Sequence, residues 1–103
     1  MIKKISGAEL EDILDDETAR ANYKLIDVRG ESTYEEGHIE GAENIPLDKL
    51  KEIDLPKDEN IIVYCNGGKT SKKAADLLSA LGYENIYDAD GVKNYAYKNI
   101  VNR

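Results

Sequence analysis

The chain holds a single cysteine, and the residues around it favour chemistry over packing. In Ile61-Ile62-Val63-Tyr64-Cys65-Asn66-Gly67-Gly68-Lys69-Thr70-Ser71, an apolar strand ends on Cys65 and a helix is expected to begin near Ser71. That order places the sulfur at the carboxyl edge of a sheet, facing a helix N-terminus, where open α/β folds hold their ligands. Unpaired amides at a helix start carry partial positive charge, which favours a thiolate over a thiol. Gly67 and Gly68 lack Cβ atoms, so the loop can curl and turn successive N–H groups toward one point. The expected product is an anion cradle, Asn66 to Ser71, with a nucleophilic sulfur at its base. Alone, a free cysteine reads as a small buried hydrophobe. Strand, paired glycines, lysine and helix start in this order shift the balance to a reactive thiol.

Lys69, Lys72 and Lys73 follow the cysteine closely on a chain with 14 basic against 21 acidic residues. The mouth of the cradle is therefore expected to oppose the sign of the whole surface and to draw an anionic small substrate or an acidic peptide segment. The phosphate-binding pattern G-x-x-x-x-G-K-[ST] is absent, because the two glycines are adjacent. Asp27 and Arg29 flank Val28 at the end of a buried strand, so their side chains leave the same face. They are read as a pair that braces the neighbouring loops, with substrate contact as the minor alternative. His38, the one imidazole, lies in a turn-rich stretch and is expected to tether a loop, and Tyr64 to pack beneath the sheet edge.

The elements that must position these residues follow from hydrophobic pattern. Lys24 to Val28 and Ile61 to Tyr64 are strand formers too short for helices, and continuous apolarity implies burial on both faces of a parallel sheet. Ile2 to Ile5 and Ala42 to Ile45 are shorter strand candidates, and Ile86-Tyr87 reads as the last strand. Ser6 with Glu9 forms a capping box ahead of a helix carrying Leu10, Ile13 and Leu14 on one side. One or two helical turns are expected over Ser32 to Glu36, a connector over Gly37 to Gly41, and a short helix over Leu47 to Ile53. Ser71 to Leu81 is a helix stopped by Gly82, and a last helix is expected from Gly91 to Ile100, with Val92, Tyr95, Ala96 and Ile100 facing inward. Strands alternating with helices give an α/β class with a mainly parallel sheet.

Composition bounds the rest. The 103 residues make one domain, 1–103, and 24 of them are Leu, Ile or Val, enough for an aliphatic core. A net charge of −7 leaves no broad basic face for nucleic acid or anionic lipid. No apolar run is long enough to span a bilayer or to serve as a signal peptide, so a cytoplasmic location is expected. One cysteine and one histidine exclude an internal disulfide and a thiolate-rich metal site.

Cys65-Asn66-Gly67-Gly68-Lys69-Thr70-Ser71 resembles the active-site loop of rhodanese-type sulfurtransferases. Leu25-Ile26-Asp27-Val28-Arg29 resembles that family's "(L/I)DVR" strand, and Gly37-His38-Ile39-Glu40-Gly41-Ala42-Glu43-Asn44-Ile45-Pro46 its "GHIxGAxNIP" element. Asp90-Gly91-Val92 resembles its "GG(I/V/W)" helix start. The resemblance implies a rhodanese-like fold with a five-stranded parallel sheet flanked by helices on both faces. It further implies that Cys65 carries sulfur as a persulfide, taken from a small anionic donor such as thiosulfate or from a persulfide. A thiol or cyanide acceptor then removes it, and the acceptor can belong to a sulfur-relay protein. No cofactor or metal is called for, and Asn66, Gly67, Gly68, Lys69, Thr70 and Ser71 become the substrate-binding residues.

Two departures bear on specificity. The position five after the cysteine is often Arg in that family and here is Thr70, with Lys69 supplying the charge one place earlier; lysine lacks the bidentate fork that grips an oxyanion. The frequent tryptophan beyond the last glycine pair is Tyr95. Two other readings compete. A cysteine-dependent phosphatase needs a guanidinium at the sixth position after the cysteine, which here is Ser71. A non-catalytic or relay module of the same fold is the second, although the intact cysteine and glycine loop weigh against an inert one.

Overall fold

The computed structural model describes residues 2–102. Five strands form one wholly parallel sheet: β1 (Ile2–Lys4), β2 (Lys24–Asp27), β4 (Glu43–Asn44), β5 (Asn60–Cys65) and β6 (Asn85–Gly91), in the order β1-β6-β5-β2-β4. Parallel neighbours need crossovers, and the helices supply them: α1 (Gly7–Leu14), α2 (Glu17–Arg20), α3 (Glu31–Glu36) and α4 (Lys69–Ala80). The central strand β5 is buried on both faces, as its unbroken apolar run requires. Ile61, Val63 and Cys65 join Ile26, Val28, Ala74, Ala75 and Leu78 on the α4 side, while Ile62 and Tyr64 join Ile5, Leu10, Leu25 and Ile39 on the other. Fully burying aliphatic side chains such as Ile61 or Leu78 contributes roughly 1.5–3 kcal/mol each, and both are 0% exposed. These two apolar layers fix where β5 ends, and hence where Cys65 sits. Among the described residues, no helix is long and apolar enough to cross a membrane.

The caps obey local chemistry. The Glu9 N–H donates to Ser6 Oγ at 3.1 Å and the Ser6 N–H donates to Glu9 Oε1 at 2.8 Å, closing the expected box at the start of α1. The Ser6 amide bond holds the Glu9 carboxyl below its ordinary pKa. At the far end of α4, Gly82 adopts φ +96, the left-handed conformation expected of a residue just past a helix.

Several elements differ from the sequence expectation. The largest difference is Gly91 to Ile100. No α-helix forms there; a single 3-10 turn (Val92–Asn94) is followed by extended chain and by β7 (Ile100–Val101), which pairs antiparallel with β3 (His38–Ile39). Tyr95, Ala96 and Ile100 are exposed, and only Val92 among the expected inward residues is half-buried. The physical reason is tertiary. Tyr95 is extended at φ −154 and ψ 143, and its ring lies against Gly7 so closely that a Cβ there would overlap it. The Lys98 N–H is taken at 2.8 Å by Oε1 of Glu11, a buried carboxylate on α1, where a helix would have needed that amide. His38 and Ile39 are accordingly strand rather than connector. Ile86-Tyr87 belongs to a seven-residue strand and is not the last one. Leu47–Glu52 is a 3-10 helix, entered from Pro46 without a side-chain cap. α4 starts at Lys69 rather than Ser71, because left-handed Gly68 serves as its N-cap. α2, unmarked in the hydrophobic pattern, is started by Asp16, whose Oδ1 accepts from the Thr18 and Ala19 amides.

Candidate functional site

The site lies at the carboxyl edge of the sheet, where β5 hands over to α4. Register between β5 and β6 shifts after Val63, so that Cys65 stands opposite Gly91. A side chain at Gly91 would collide with the Asn66 carbonyl and the Gly67 backbone, so the loop after Cys65 folds directly onto that glycine. The Lys93 N–H donates to the Asn66 carbonyl at 3.1 Å. From there the chain turns back. The Gly68 N–H donates to Cys65 Sγ at 3.0 Å, and the Gly68 carbonyl accepts from Ser71 Oγ at 3.0 Å and from the Lys72 amide at 3.3 Å. Gly68 can do this because it takes φ +105, a conformation costly for any other L residue. A Cβ at Gly68 would also overlap the carboxylate of Asp90, itself at φ 67, with its N–H donated to Asp88 Oδ1 at 2.8 Å.

A cavity of about 280 Å³ opens at this point. Cys65, Asn66, Gly67, Lys69 and Thr70 form one wall. Lys69 and Thr70 occupy the first turn of α4, whose amides have no intrahelical acceptor. Cys65 is 2% exposed and borders this opening, and the Gly68 dipole stands against any negative charge that develops on the sulfur.

The opposite wall comes from the segment after β2: Val28, Arg29, Gly30 and Thr33. Arg29 is anchored by Asp27, with Nε donating at 3.0 Å to both carboxylate oxygens and Nη2 donating at 2.6 Å to Oδ2. Nη2 also donates to the Gly37 carbonyl at 2.7 Å. Burial opposes the charged guanidinium, but the hydrogen bonds and charge of Asp27 outweigh it and hold Arg29 above its ordinary pKa. Beneath lies Tyr64, whose hydroxyl accepts the Ile39 amide at 3.0 Å; burial first, then the Asp27 charge, pushes that phenol far above its usual range. His38 does tether a loop, through Nδ1 at 2.8 Å from the Tyr34 carbonyl and a ring stacked on Tyr34 at 3.7 Å.

Not every residue of the expected site reaches the cavity. Gly68 and Ser71 sit behind the wall and shape it. Lys72 pairs with Asp76 at 3.2 Å, one turn along α4, and lines a different depression; neither it nor Lys73 borders the cavity, so the expected three-lysine mouth reduces to Lys69. Gly30 and Thr33 border it without any signal of their own in the pattern. Their one clue is topological: they follow a parallel strand adjacent to β5, and so must emerge at the same sheet edge.

The rhodanese-like domain model matches residues 6–94. This chain belongs to the rhodanese-like domain family. The thiosulfate sulfurtransferase PspE of Escherichia coli K12 is 41% identical over 75 residues, the match covering 69% of this chain and 72% of that protein. The solved structure of a rhodanese with anions from E. coli is similar at TM-score 0.71 and 36% identity, over 79% of this chain and 99% of the other. The tRNA uridine(34) hydroxylase of Erwinia tasmaniensis is 33% identical over 95 residues; there the match covers 84% of this rhodanese-like domain but 26% of the longer protein.

Proposed function

We propose that this rhodanese-like domain is a sulfurtransferase in which Cys65 carries sulfur. The observation that carries the reading is the Gly68 amide donated to Cys65 Sγ at 3.0 Å, inside a cavity bordered by Lys69 and by the first turn of α4. A sulfur held against a main-chain N–H at a helix start is suited to bear negative charge both before and after it accepts a second sulfur. In the first step the Cys65 thiolate attacks the outer sulfur of thiosulfate. A Cys65 S–S bond forms, the sulfur–sulfur bond of the donor breaks, and sulfite leaves with the electron pair. In the second step cyanide or a thiolate attacks the terminal persulfide sulfur, and the electron pair returns to Cys65. Each step conserves charge and needs no cofactor. The likeness to PspE supports thiosulfate as a donor class. Ser71, buried and bonded to a main-chain carbonyl where a phosphatase would need its guanidinium, weighs against phosphoryl transfer.

A second reading draws on the likeness to the adenylyltransferase and sulfurtransferase uba4 of Ogataea parapolymorpha, 41% identical over 75 residues and matched over 19% of its length: the acceptor is a thiol on a partner protein. The two readings share the first step and differ in the second.

The first test is mass spectrometry after thiosulfate treatment. A gain of about 32 Da on Cys65, one sulfur atom, is expected in the native chain and none in Cys65→Ser. No adduct with thiosulfate or with an alkyl persulfide, on a thiol that still alkylates, would rule the reading out. Turnover with cyanide then separates a free enzyme from a dedicated relay, which would discharge only to a protein thiol.

A further inference from the structure

Asp90 rests against the loop that holds the sulfur, and neither step of the sulfur transfer makes use of it. We infer that Asp90 is a specificity-determining residue: its carboxylate sets a fixed negative charge beside the cradle, which selects against doubly charged sulfur donors and favours donors of lower charge. The inference rests on the sulfurtransferase reading and adds to it the charge class of the donor.

Three observations carry it. First, the carboxylate lies so close to Gly68 that a Cβ there would overlap Oδ1, and the Gly68 N–H is the one donated to Cys65 Sγ. Gly68 thus touches both the carboxylate and the sulfur. Second, Asp90 is, among the described residues, the one non-glycine residue with positive φ, at 67, and its N–H is tied to Asp88 Oδ1 at 2.8 Å. The element that Asp90-Gly91-Val92 resembles has glycine at this position, the residue for which such a backbone costs least. Here a charged side chain is kept in it, and strain of that kind gathers at functional sites. Third, the charge is not fully offset. Lys4 Nζ stands 3.9 Å from Asp90 Oδ1 and 3.9 Å from Asp88 Oδ2, so one exposed ammonium serves two carboxylates. Lys72, which borders the same depression as Lys4 and Asp88, is paired with Asp76. Two cations against three carboxylates leave one negative charge at this end of β6.

The effect is Coulombic and grows with the charge of the donor. A dianion such as thiosulfate meets twice the repulsion of a singly charged persulfide, and a neutral donor meets none. Any influence of Asp90 on the Cys65 thiolate itself would act equally on every donor, which separates the two effects. The Asp90 side chain is 41% exposed, so its field on the donor is screened by salt.

The test compares thiosulfate with ethyl hydropersulfide, which carries one charge or none. Asp90→Asn removes the charge while keeping the shape and the tolerance for positive φ, and Lys4→Gln removes the compensating cation from an exposed position. At an ionic strength of about 0.01 M, the thiosulfate concentration for half-maximal persulfide formation is expected to fall roughly threefold or more in Asp90→Asn and to rise in Lys4→Gln. With ethyl hydropersulfide both variants should stay within about twofold of the native chain, and the thiosulfate differences should close near about 1 M salt. A change equal for both donors, a change that survives salt, or no change with thiosulfate overturns the inference. A second arm titrates thiosulfate against Cys65→Ser and Cys65→Ser/Asp90→Asn by NMR chemical shift, where no sulfur can transfer to position 65. Tighter binding in the double variant is expected. If that holds while the native chain forms no persulfide, the charge effect stands and the sulfurtransferase reading fails; unchanged binding overturns the inference alone.

Discussion

The two walls of the cavity are built on opposite principles. The Cys65 wall is main chain: an amide to sulfur, a carbonyl holding Ser71, and glycines at the two places where a side chain cannot fit. The Gly68 bonds join residues three or four apart, so this turn closes once β5 ends and α4 begins, and the distant Lys93 amide and Gly91 then seat it. The other wall is the segment after β2, braced by the Arg29 side chain, which a buried carboxylate, a carbonyl on the next loop and the neighbouring tyrosine hold in place. The first wall presents the same dipoles whatever its side chains are. The second depends on one ion pair, which costs several kcal/mol to desolvate and is strongly destabilising when halved. A locally closed main-chain turn is thus set beside a wall that depends on one buried ion pair.

Four substitutions sharpen or break that contrast. The largest effect is expected from Asp27→Ala, which leaves the Arg29 guanidinium buried without its carboxylate; a loss of about 3–5 kcal/mol in urea unfolding is expected, because both side chains are less than one tenth exposed. A loss below 1 kcal/mol would mean that the wall is held by its other contacts. Next comes Gly68→Ala, which forces a β-carbon into φ +105 and against Asp90. Backbone strain of about 1–3 kcal/mol is expected, together with a fall in the rate of persulfide formation out of proportion to the lost stability. Relief in Gly68→Ala/Asp90→Ala should be partial, since removing the carboxylate leaves the dihedral unchanged.

Ser71→Ala removes one hydroxyl bond to the Gly68 carbonyl, for about 0.5–1.5 kcal/mol by thermal unfolding. If the cradle is truly main chain, this variant should still load sulfur on Cys65; complete loss would show that a side chain organises it. The smallest effect is expected from Lys69→Ala. The thiosulfate concentration needed for half-maximal loading should rise a few-fold at low ionic strength. It should converge with the native value as salt shortens the screening length to about 3 Å near 1 M. A salt-independent difference would mean that Lys69 makes a fixed contact.

Much of the fold is legible along the chain because its signals are local. The capping box at Ser6, the apolar run of β5 and the glycine stop at Gly82 each depend on a few neighbouring residues, and each is found where the pattern puts it. The pairing of Asp27 with Arg29 is legible for the same reason, through strand alternation. Lys72 stays off the cavity mouth, where a helix face offers it Asp76, four residues on, as a partner. The run from Gly91 to Ile100 misleads differently. Its spacing suits a helix, but Glu11, 87 residues from Lys98, takes the backbone amide, and Tyr95 lies against Gly7. Lys98 Nζ also pairs with Asp15 at 3.1 Å, so the segment is tied to α1 by more than one contact, and burial with the Glu11 charge pushes the Tyr97 phenol up to about 12.

The order of residues alone determined a parallel α/β sheet and a glycine loop between one buried strand and one helix with a lone sulfur at its start. These follow from side-chain volume, backbone freedom and hydrogen bonds closed within a few residues. Folding in three dimensions decided which charges meet that sulfur and how the last ten residues run. Both depend on segments distant in the chain that approach one another only after the sheet has formed, and no periodicity within either segment encodes the other.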